Sequence, residues 1–242
     1  MTPQVQPVAD VIAAAAEQVF AVVETVRSRS VRLYEQVVAS SGRPCAEDIS
    51  TLRPFIQDHL AAQTGVIVGL GLIVAPDLLA DQPLRLEWWQ SEPGQAAPVG
   101  LAVDLKQNSP GFYDYAGTEW FAVPHRSGRR HIMGPYVDVH GTGRYILTFT
   151  VPVMSGDVFV GVAGADVSAP AFERRLIAEF ASDTGILVAN PEGRVVLSNC
   201  PRWVQGDRFA APATPTSVTA TQLTDLPWRV WQDVAKPLTS EV

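Results

Sequence analysis

The sequence predicts an α+β fold in which a long N-terminal helix precedes two antiparallel sheets, the second of them reduced. Apolar residues recur at alternating four- and three-residue steps from Ile12 to Val37, which is the period of an amphipathic helix. Beyond residue 65, short apolar or alternating runs are separated by Gly, Pro and Asp, as is typical of strands joined by tight turns. The order of these patterns places the helix first and the hairpins after it.

The N-terminal helix is expected over residues 1–40, with a Gly-Pro stop signal at residues 41–44. Its charged residues mostly lie off the apolar stripe, as a solvated face requires. The stripe is consistent either with packing inside its own domain or with pairing to a second copy, because Ala and Ser interrupt the seam. A possible homodimer therefore stays open. A second helix is expected from Ala46 to Gln63, with Asp48 or Ser50 near its cap.

A ligand-binding module is expected over residues 41–181. Proline, glycine and aspartate break its apolar runs into strands, and Gly156 lies at the tip of a hairpin. The expected elements, in order, are strands Val66–Val74, Arg85–Gln90 and Val99–Asp104, an aromatic helix Tyr113–Val123, a turn Gly134–Asp138, strands Tyr145–Val153 and Val158–Asp166, and a helix Pro170–Ala181.

A small β module is expected over residues 182–242. The run Asn190-Pro191-Glu192-Gly193 favours a tight turn between two strands. The expected strands are Ile186–Ala189, Arg194–Ser198, Val218–Leu223 and Trp228–Asp233. About sixty residues form a small core, so we expect this module to pack on the rest of the chain.

The composition is that of a globular protein and excludes several classes of function. Hydrophobic residues make up 47% of the chain and charged residues 18%. The net charge of -7 argues against nucleic acid as a partner by itself. Only Cys45 and Cys200 are present, so neither a disulfide framework nor a cysteine zinc site is expected. The N-terminus lacks a basic secretory signal, and no apolar run approaches the roughly 20 residues that span a bilayer. These observations predict a cytoplasmic protein without a membrane segment.

The block from Phe112 to Ser168 combines aromatic residues with a few acids. Asp166 ends an apolar strand, where burial of its carboxylate is costly unless a cation or several donors meet it. Trp120 and Tyr136, together with Trp88 or Trp89, can supply aromatic faces, each worth about 0.5 to 2 kcal/mol to a desolvated cation. An aromatic cage with one or two acids suits a protonated or quaternary amine.

The same block resembles the Cache family of PAS-like sensor domains, in which a helix-capped antiparallel sheet holds a metabolite. The pattern of the amino-acid-binding members matches Tyr113, Trp120, Tyr136 and Asp166. Phe121 stands where that pattern has a second Tyr, and Thr118 stands where it has the Arg that pairs with a ligand carboxylate. The resemblance implies a double-Cache module in a soluble stand-alone version, acting in signal transduction without catalysis. The missing Arg favours a cationic amine over an ordinary α-amino acid.

Asp138 is a further candidate for the ligand-binding site. Structural roles stay open for several of these candidate residues. Asp166 could cap the following helix, Asp138 could stabilise a turn, and Trp120 and Phe121 could be core residues. The whole protein could also be a dimerisation or protein-interaction module with a vestigial pocket.

Metal and enzyme chemistry receive little support. His125, His131 and His140 lack the spacing of known zinc motifs, and arginines lie among them. No catalytic constellation stands out. We therefore expect no cofactor, no metal site and no enzymatic activity, with a small-molecule ligand, an amine or an amino-acid-like metabolite, as the partner. A homodimer or a regulatory partner protein stays open.

Overall fold

The computed structural model describes residues 8–63, 65–139, 141–180, 185–210 and 219–232. The helices in these ranges are α1 (Val8–Ser41), α2 (Ala46–Ser50), α3 (Arg53–Ala61), α4 (Glu119–Ser127) and α5 (Ala169–Ile177). The strands are β1 (Ile67–Val74), β2 (Leu86–Gln90), β3 (Val99–Gly100), β4 (His131–Val137), β5 (Tyr145–Ser155), β6 (Val158–Ser168), β7 (Ile186–Ala189), β8 (Val195–Ser198), β9 (Thr219–Gln222) and β10 (Arg229–Gln232). The predicted α+β class is confirmed.

The first sheet has six antiparallel strands in the order β3-β2-β1-β6-β5-β4. Strands β1 and β6 occupy its centre and are buried on both faces, which is why both sequences are almost entirely apolar. Strands β5 and β6 form a hairpin whose loop is only Gly156–Asp157, with Gly156 at a φ of 55°. A two-residue loop of this kind favours positive φ, which glycine adopts without strain.

The two faces of this sheet have different partners because successive side chains on a strand alternate between faces. On one face, Leu70, Leu72, Phe149 and Ala165 join a core with the helices α1 and α3. On the other face, a smaller cluster around Ile73, Trp88 and Val162 packs under α4 and the segment that leads to it.

Helix α1 supplies much of the large core with its apolar stripe, including Ile12, Val19 and Val26. Of the two roles left open for this stripe, packing within the chain is the one that the fold shows. A homodimer stays a prediction.

The second sheet has four antiparallel strands in the order β8-β7-β10-β9. Its inner face shares the large core, because Trp228, which directly precedes β10, contacts Phe149 of β5 and Phe172 of α5 at ring-centroid distances of 6.1 and 5.9 Å. The division into residues 1–40, 41–181 and 182–242 stays a prediction. Of the predicted element ends, Ala181, Val218 and Asp233 lie outside the described residues, as do residues 1–7.

Two helix predictions were wrong in detail. The expected helix Ala46–Gln63 is divided into α2 and α3, because Pro54 at the start of α3 has no backbone N–H to continue the hydrogen bonds of α2. The expected helix Tyr113–Val123 begins only at Glu119. Tyr115 is instead held against the sheet, since its hydroxyl donates to the carbonyl oxygen of Val74 at 2.8 Å.

The expected turn Gly134–Asp138 was also wrong, because residues up to Val137 belong to β4. A register shift between Met133 and Tyr136 interrupts the pairing with β5, and the Gly134–Pro135 peptide bond inside it is cis. The irregularity turns the chain locally while the strand continues. Strand β3 is shorter than the expected Val99–Asp104.

No described helix combines the length and apolar composition that crossing a membrane requires.

Candidate functional site

A buried pocket lies on the α4 face of the first sheet. Its volume is about 320 Å³ when its opening to solvent is included, but the cavity within it is only about 20 Å³, enough for roughly one water molecule. A larger ligand therefore requires its walls to move apart. The described residues that line it are Ile73, Leu86, Trp88, Leu101, Tyr113, Trp120, Tyr136, Asp138, Thr148 and Asp166.

The lining has a distinctive chemistry. Four of these ten residues are aromatic with a polar edge, two are acids and none is basic. Five of the residues predicted from the family resemblance and from the aromatic cage meet in this pocket: Trp88, Tyr113, Trp120, Tyr136 and Asp166. They come from β2, β4, β6, α4 and the segment before α4. The fold therefore brings together residues that are up to 78 positions apart in the chain.

Asp166 lies on β6 directly opposite Thr148 of β5, and its side chain is only 6% exposed. The hydroxyl of Thr148 donates to Oδ1 of Asp166 at 2.8 Å. The hydroxyl of Tyr136 lies 2.9 Å from the same Thr148 oxygen. Because Thr148 has one hydroxyl proton and gives it to Asp166, Tyr136 must donate to Thr148. A chain of hydrogen bonds thus runs from Tyr136 to the carboxylate.

Burial raises the pKa of Asp166 to about 7, because an ionised carboxylate is poorly solvated inside the protein. The hydrogen bond from Thr148 opposes this rise, the nearby charge of Asp138 adds to it, and Arg144 opposes it. Burial also raises the pKa values of Tyr113 and Tyr136 above their usual range, and the acids of the pocket contribute further. Both phenols are therefore neutral hydrogen-bonding groups at physiological pH.

Asp138 has two roles in this geometry. Its carboxylate accepts a hydrogen bond from the backbone N–H of Thr142 at 2.7 Å, which is the turn-stabilising role considered from the sequence. The same residue also lines the pocket and is buried. Asp166, by contrast, does not cap the helix that follows, since the side chain of Ser168 accepts the capping hydrogen bond from Ala171.

Three predicted site residues do not line the pocket. Trp89 points to the opposite face of the sheet, where its Nε1–H donates to Glu87 at 2.9 Å. Phe121 is buried in the cluster under α4 and packs edge-on against Tyr115. Thr118 precedes α4 and donates its hydroxyl to the carbonyl oxygen of Tyr115 at 2.6 Å. Their roles in binding stay predictions.

The pocket also contains four residues that the sequence did not single out: Ile73, Leu86, Leu101 and Thr148. The three aliphatic side chains look like ordinary core residues in sequence. A weak indication for Thr148 was present in the sequence, because a hydroxyl group in the apolar strand β5 needs a hydrogen-bond partner when it is buried.

The arginines near α4 lie away from the pocket. Arg130 forms hydrogen bonds with Glu17 of α1 at 2.9 and 2.6 Å, and Arg126 and Arg129 are exposed. Thus none of these three replaces the Arg that the family pattern has at position 118.

The histidines do not form a metal centre in the described part of the chain. His131 pairs with Glu119 at 2.8 Å, and His125 stacks on Phe159 with ring centroids 4.2 Å apart. His140 lies outside the described residues. Across the described ranges, no three His, Cys, Asp or Glu side chains are close enough to share a metal ion.

Solved sensory domains share this fold. The chain is similar to methyl-accepting chemotaxis protein X, with 16% identity, 93% of this chain and 95% of that chain covered, and a TM-score of 0.60. It is also similar to the ligand-binding domain of the amino acid chemoreceptor PctC of Pseudomonas aeruginosa in complex with GABA, with 19% identity, 93% and 94% covered and a TM-score of 0.56. A third similar structure is the extracellular domain of the histidine kinase soHK1S-Z6, with 12% identity, 90% and 88% covered and a TM-score of 0.57.

These similarities extend over nearly the whole length of each chain and support the fold that the family resemblance implied. The sequence matches no protein-family model and no curated protein. One of the similar structures is an extracellular domain, and a cytoplasmic location for this chain stays a prediction.

Proposed function

We propose that this protein is a small-molecule sensor whose pocket binds a cationic amine without catalysis. The observation that carries the proposal is the lining: two acids, four aromatic side chains and no basic residue among the ten described residues around the pocket. The cation would lie between Trp120, Tyr136 and Asp166, with Tyr113 and Trp88 completing the cage. Aromatic faces and a carboxylate both attract a desolvated cation, and a cation in turn offsets the cost of burying Asp166.

The similar solved structures support a sensory role through the fold alone, and the amino acid chemoreceptor PctC binds GABA, which carries both an amine and a carboxylate. The pocket of this chain lies on the same α4 face as the residues matched by the family pattern. Because the free space at the centre of the pocket is narrow, the proposal requires the pocket to open when the amine binds.

Isothermal titration with small amines and a quaternary ammonium ion tests the proposal. We expect Asp166→Asn to weaken binding by about 3 to 5 kcal/mol at a pH above 7, because it removes the buried counter-charge. Asp157→Asn is the matched control: it removes the same charge from the exposed tip of the β5–β6 hairpin and should bind as the wild type does. Equal binding by wild type and Asp166→Asn would refute the assigned role of Asp166.

The pH dependence of binding gives a second test. A cation binds the ionised carboxylate, so affinity should fall about tenfold for each pH unit below the Asp166 pKa of about 7 and level off above it. A quaternary ammonium ion has no proton to lose, so the pH dependence of its binding reports the titration of the protein alone.

If no amine, amino acid or organic acid bound, the result would instead support the alternative of an interaction module with a vestigial pocket.

A further inference from the structure

The indole ring of Trp88 lies flat on a patch of glycines at the floor of the pocket. A Cβ atom built on Gly71 would be 3.0 Å from Cε3 of the indole, and one built on Gly164 would be 3.4 Å from its Cη2. A Cβ atom built on Gly69 would be 3.0 Å from Nε1. These three glycines lie on β1 and β6, which pair with each other. The absence of their side chains lets the ring rest on the backbone and fixes its orientation.

This orientation places the indole nitrogen near the acidic end of the pocket. The point that is 3.0 Å from Nε1 is also 3.1 Å from Oδ2 of Asp166, so the two atoms are at most about 6 Å apart. Trp88 is 7% exposed, and its Nε1 has no hydrogen-bond acceptor among the described residues. Of the buried side-chain polar atoms left unpaired in these ranges, it is the one whose residue lines the pocket.

Two buried indole nitrogens, those of Trp88 and Trp228, lack a hydrogen-bond partner among the described residues, and of these two tryptophans only Trp88 lines the pocket. Trp89 lies on the other face of the same strand, and its Nε1–H donates to Glu87 at 2.9 Å. Buried polar groups in proteins are nearly always paired, so an unpaired donor in a binding pocket calls for an acceptor on the ligand. Oδ2 of Asp166 likewise receives no hydrogen bond from the described residues, while Oδ1 is held by Thr148.

We propose that the ligand carries a neutral hydrogen-bond-accepting oxygen a few ångströms from its cation, and that this oxygen accepts from the Nε1–H of Trp88. The inference rests on the proposed amine-binding function and narrows its ligand class to amino alcohols and their quaternary relatives. The oxygen is neutral rather than anionic because Asp138 and Asp166 line the same pocket without a basic residue among the described lining. The cation meets Oδ2 of Asp166, and the oxygen meets the indole.

Matched ligands that differ only at this oxygen test the inference. Ethanolamine and propylamine have the same number of heavy atoms and the same charge, as do choline and propyltrimethylammonium. We expect the hydroxyl compound of each pair to bind wild-type protein about three to ten times more tightly in isothermal titration, the gain of one neutral hydrogen bond. Trp88→Phe keeps an aromatic floor but loses the N–H, so this preference should disappear. Trp89→Phe is the matched control and should keep it.

Nuclear magnetic resonance of the wild-type protein gives a readout that needs no variant. The assigned indole N–H resonance of Trp88 should move downfield when ethanolamine is added, and by much less when propylamine is added. If both compounds bind equally and shift that resonance equally, the inference is wrong while the amine proposal stands. If neither pair binds the wild-type protein at all, the amine proposal fails, and this inference fails with it.

Discussion

Asp166 holds its carboxyl group where ionisation is costly, and this has a consequence for stability as well as for binding. Its pKa of about 7 lies above the ordinary value of 3.8, so the folded state binds this proton more tightly than the unfolded chain does. The resulting stabilisation is complete below about pH 4 and is lost as the pH rises through about 7. A bound cation would restore this stabilisation at higher pH by taking the place of the proton.

We therefore expect Asp166→Asn to become more stable relative to the wild type as the pH rises. Across the window from about pH 4 to about pH 8, the relative free energy of unfolding should change by as much as about 4 kcal/mol. Urea denaturation of both proteins without ligand, at several pH values, measures the difference and cancels the other titrating groups. Asp157→Asn should show no such trend. If the free energies of unfolding of the wild type and Asp166→Asn changed equally with pH, Asp166 would ionise in the folded protein without cost.

At the scale of elements, the hairpin of β5 and β6 shows why part of the site could be predicted and part could not. The alternation of apolar residues and the Gly156 signal were enough to predict both strands and their pairing. The two-residue loop pairs Ser155 with Val158, and an uninterrupted ladder would then place Leu147 opposite Asp166. The register shift at Val153 and Met154 places Thr148 there instead. A one-residue bulge of this kind depends on tertiary packing, which the pattern of a single strand does not contain.

Other site residues were found because their chemistry is unusual for their place in the chain. The family resemblance pointed to Asp166, Tyr136 and Trp120, and their chemistry agreed with it, because an acid in an apolar strand and aromatic residues with polar edges are conspicuous. The contrast between Trp88 and Trp89 required the strand's register, because adjacent residues point to opposite faces and either one could have faced the pocket.

The N-terminus of α4 leads to a prediction about ligand selectivity. Thr118, directly before this helix, stands where the family pattern has the Arg that pairs with a ligand carboxylate. Thr118 already donates its hydroxyl to Tyr115, and Arg126, Arg129 and Arg130 lie elsewhere. We expect wild-type protein to bind putrescine about ten to a hundred times more tightly than ornithine, which carries an additional carboxylate. Thr118→Arg should narrow that ratio by supplying a charged donor.

Isothermal titration of both compounds against both proteins measures this ratio. Ser127→Arg adds the same charge at the exposed end of α4 and should leave the wild-type preference unchanged. Tighter binding of ornithine by the wild type would show that another donor holds the carboxylate, and the protein would then be better described as an amino-acid sensor.

At the scale of the whole molecule, the large core joins the two sheets. The core includes side chains of α1, of the first sheet and of β7, β8 and β10. The second sheet also contacts the first directly, since the side-chain amide of Asn190 donates to the carbonyl oxygen of Gly134, within the pocket strand β4, at 2.9 Å. A change in the position of β4 on ligand binding would therefore be transmitted to the second sheet through packing and this hydrogen bond.

This shared core predicts that both sheets unfold together. Trp228 is fully buried between Phe149 of β5 and Phe172 of α5, so Trp228→Ala should lower the free energy of unfolding by about 3 to 5 kcal/mol and shift a single transition. Circular dichroism and tryptophan fluorescence are followed in the same urea titration. For each protein, the two signals should give coincident unfolding curves. Trp203→Ala removes a half-buried indole from the outer face of the second sheet, where it contacts Phe209, and should cost less. Two separate transitions in the wild type would mean that the second sheet folds independently, because a shared core cannot be lost in one sheet while the other keeps its packing.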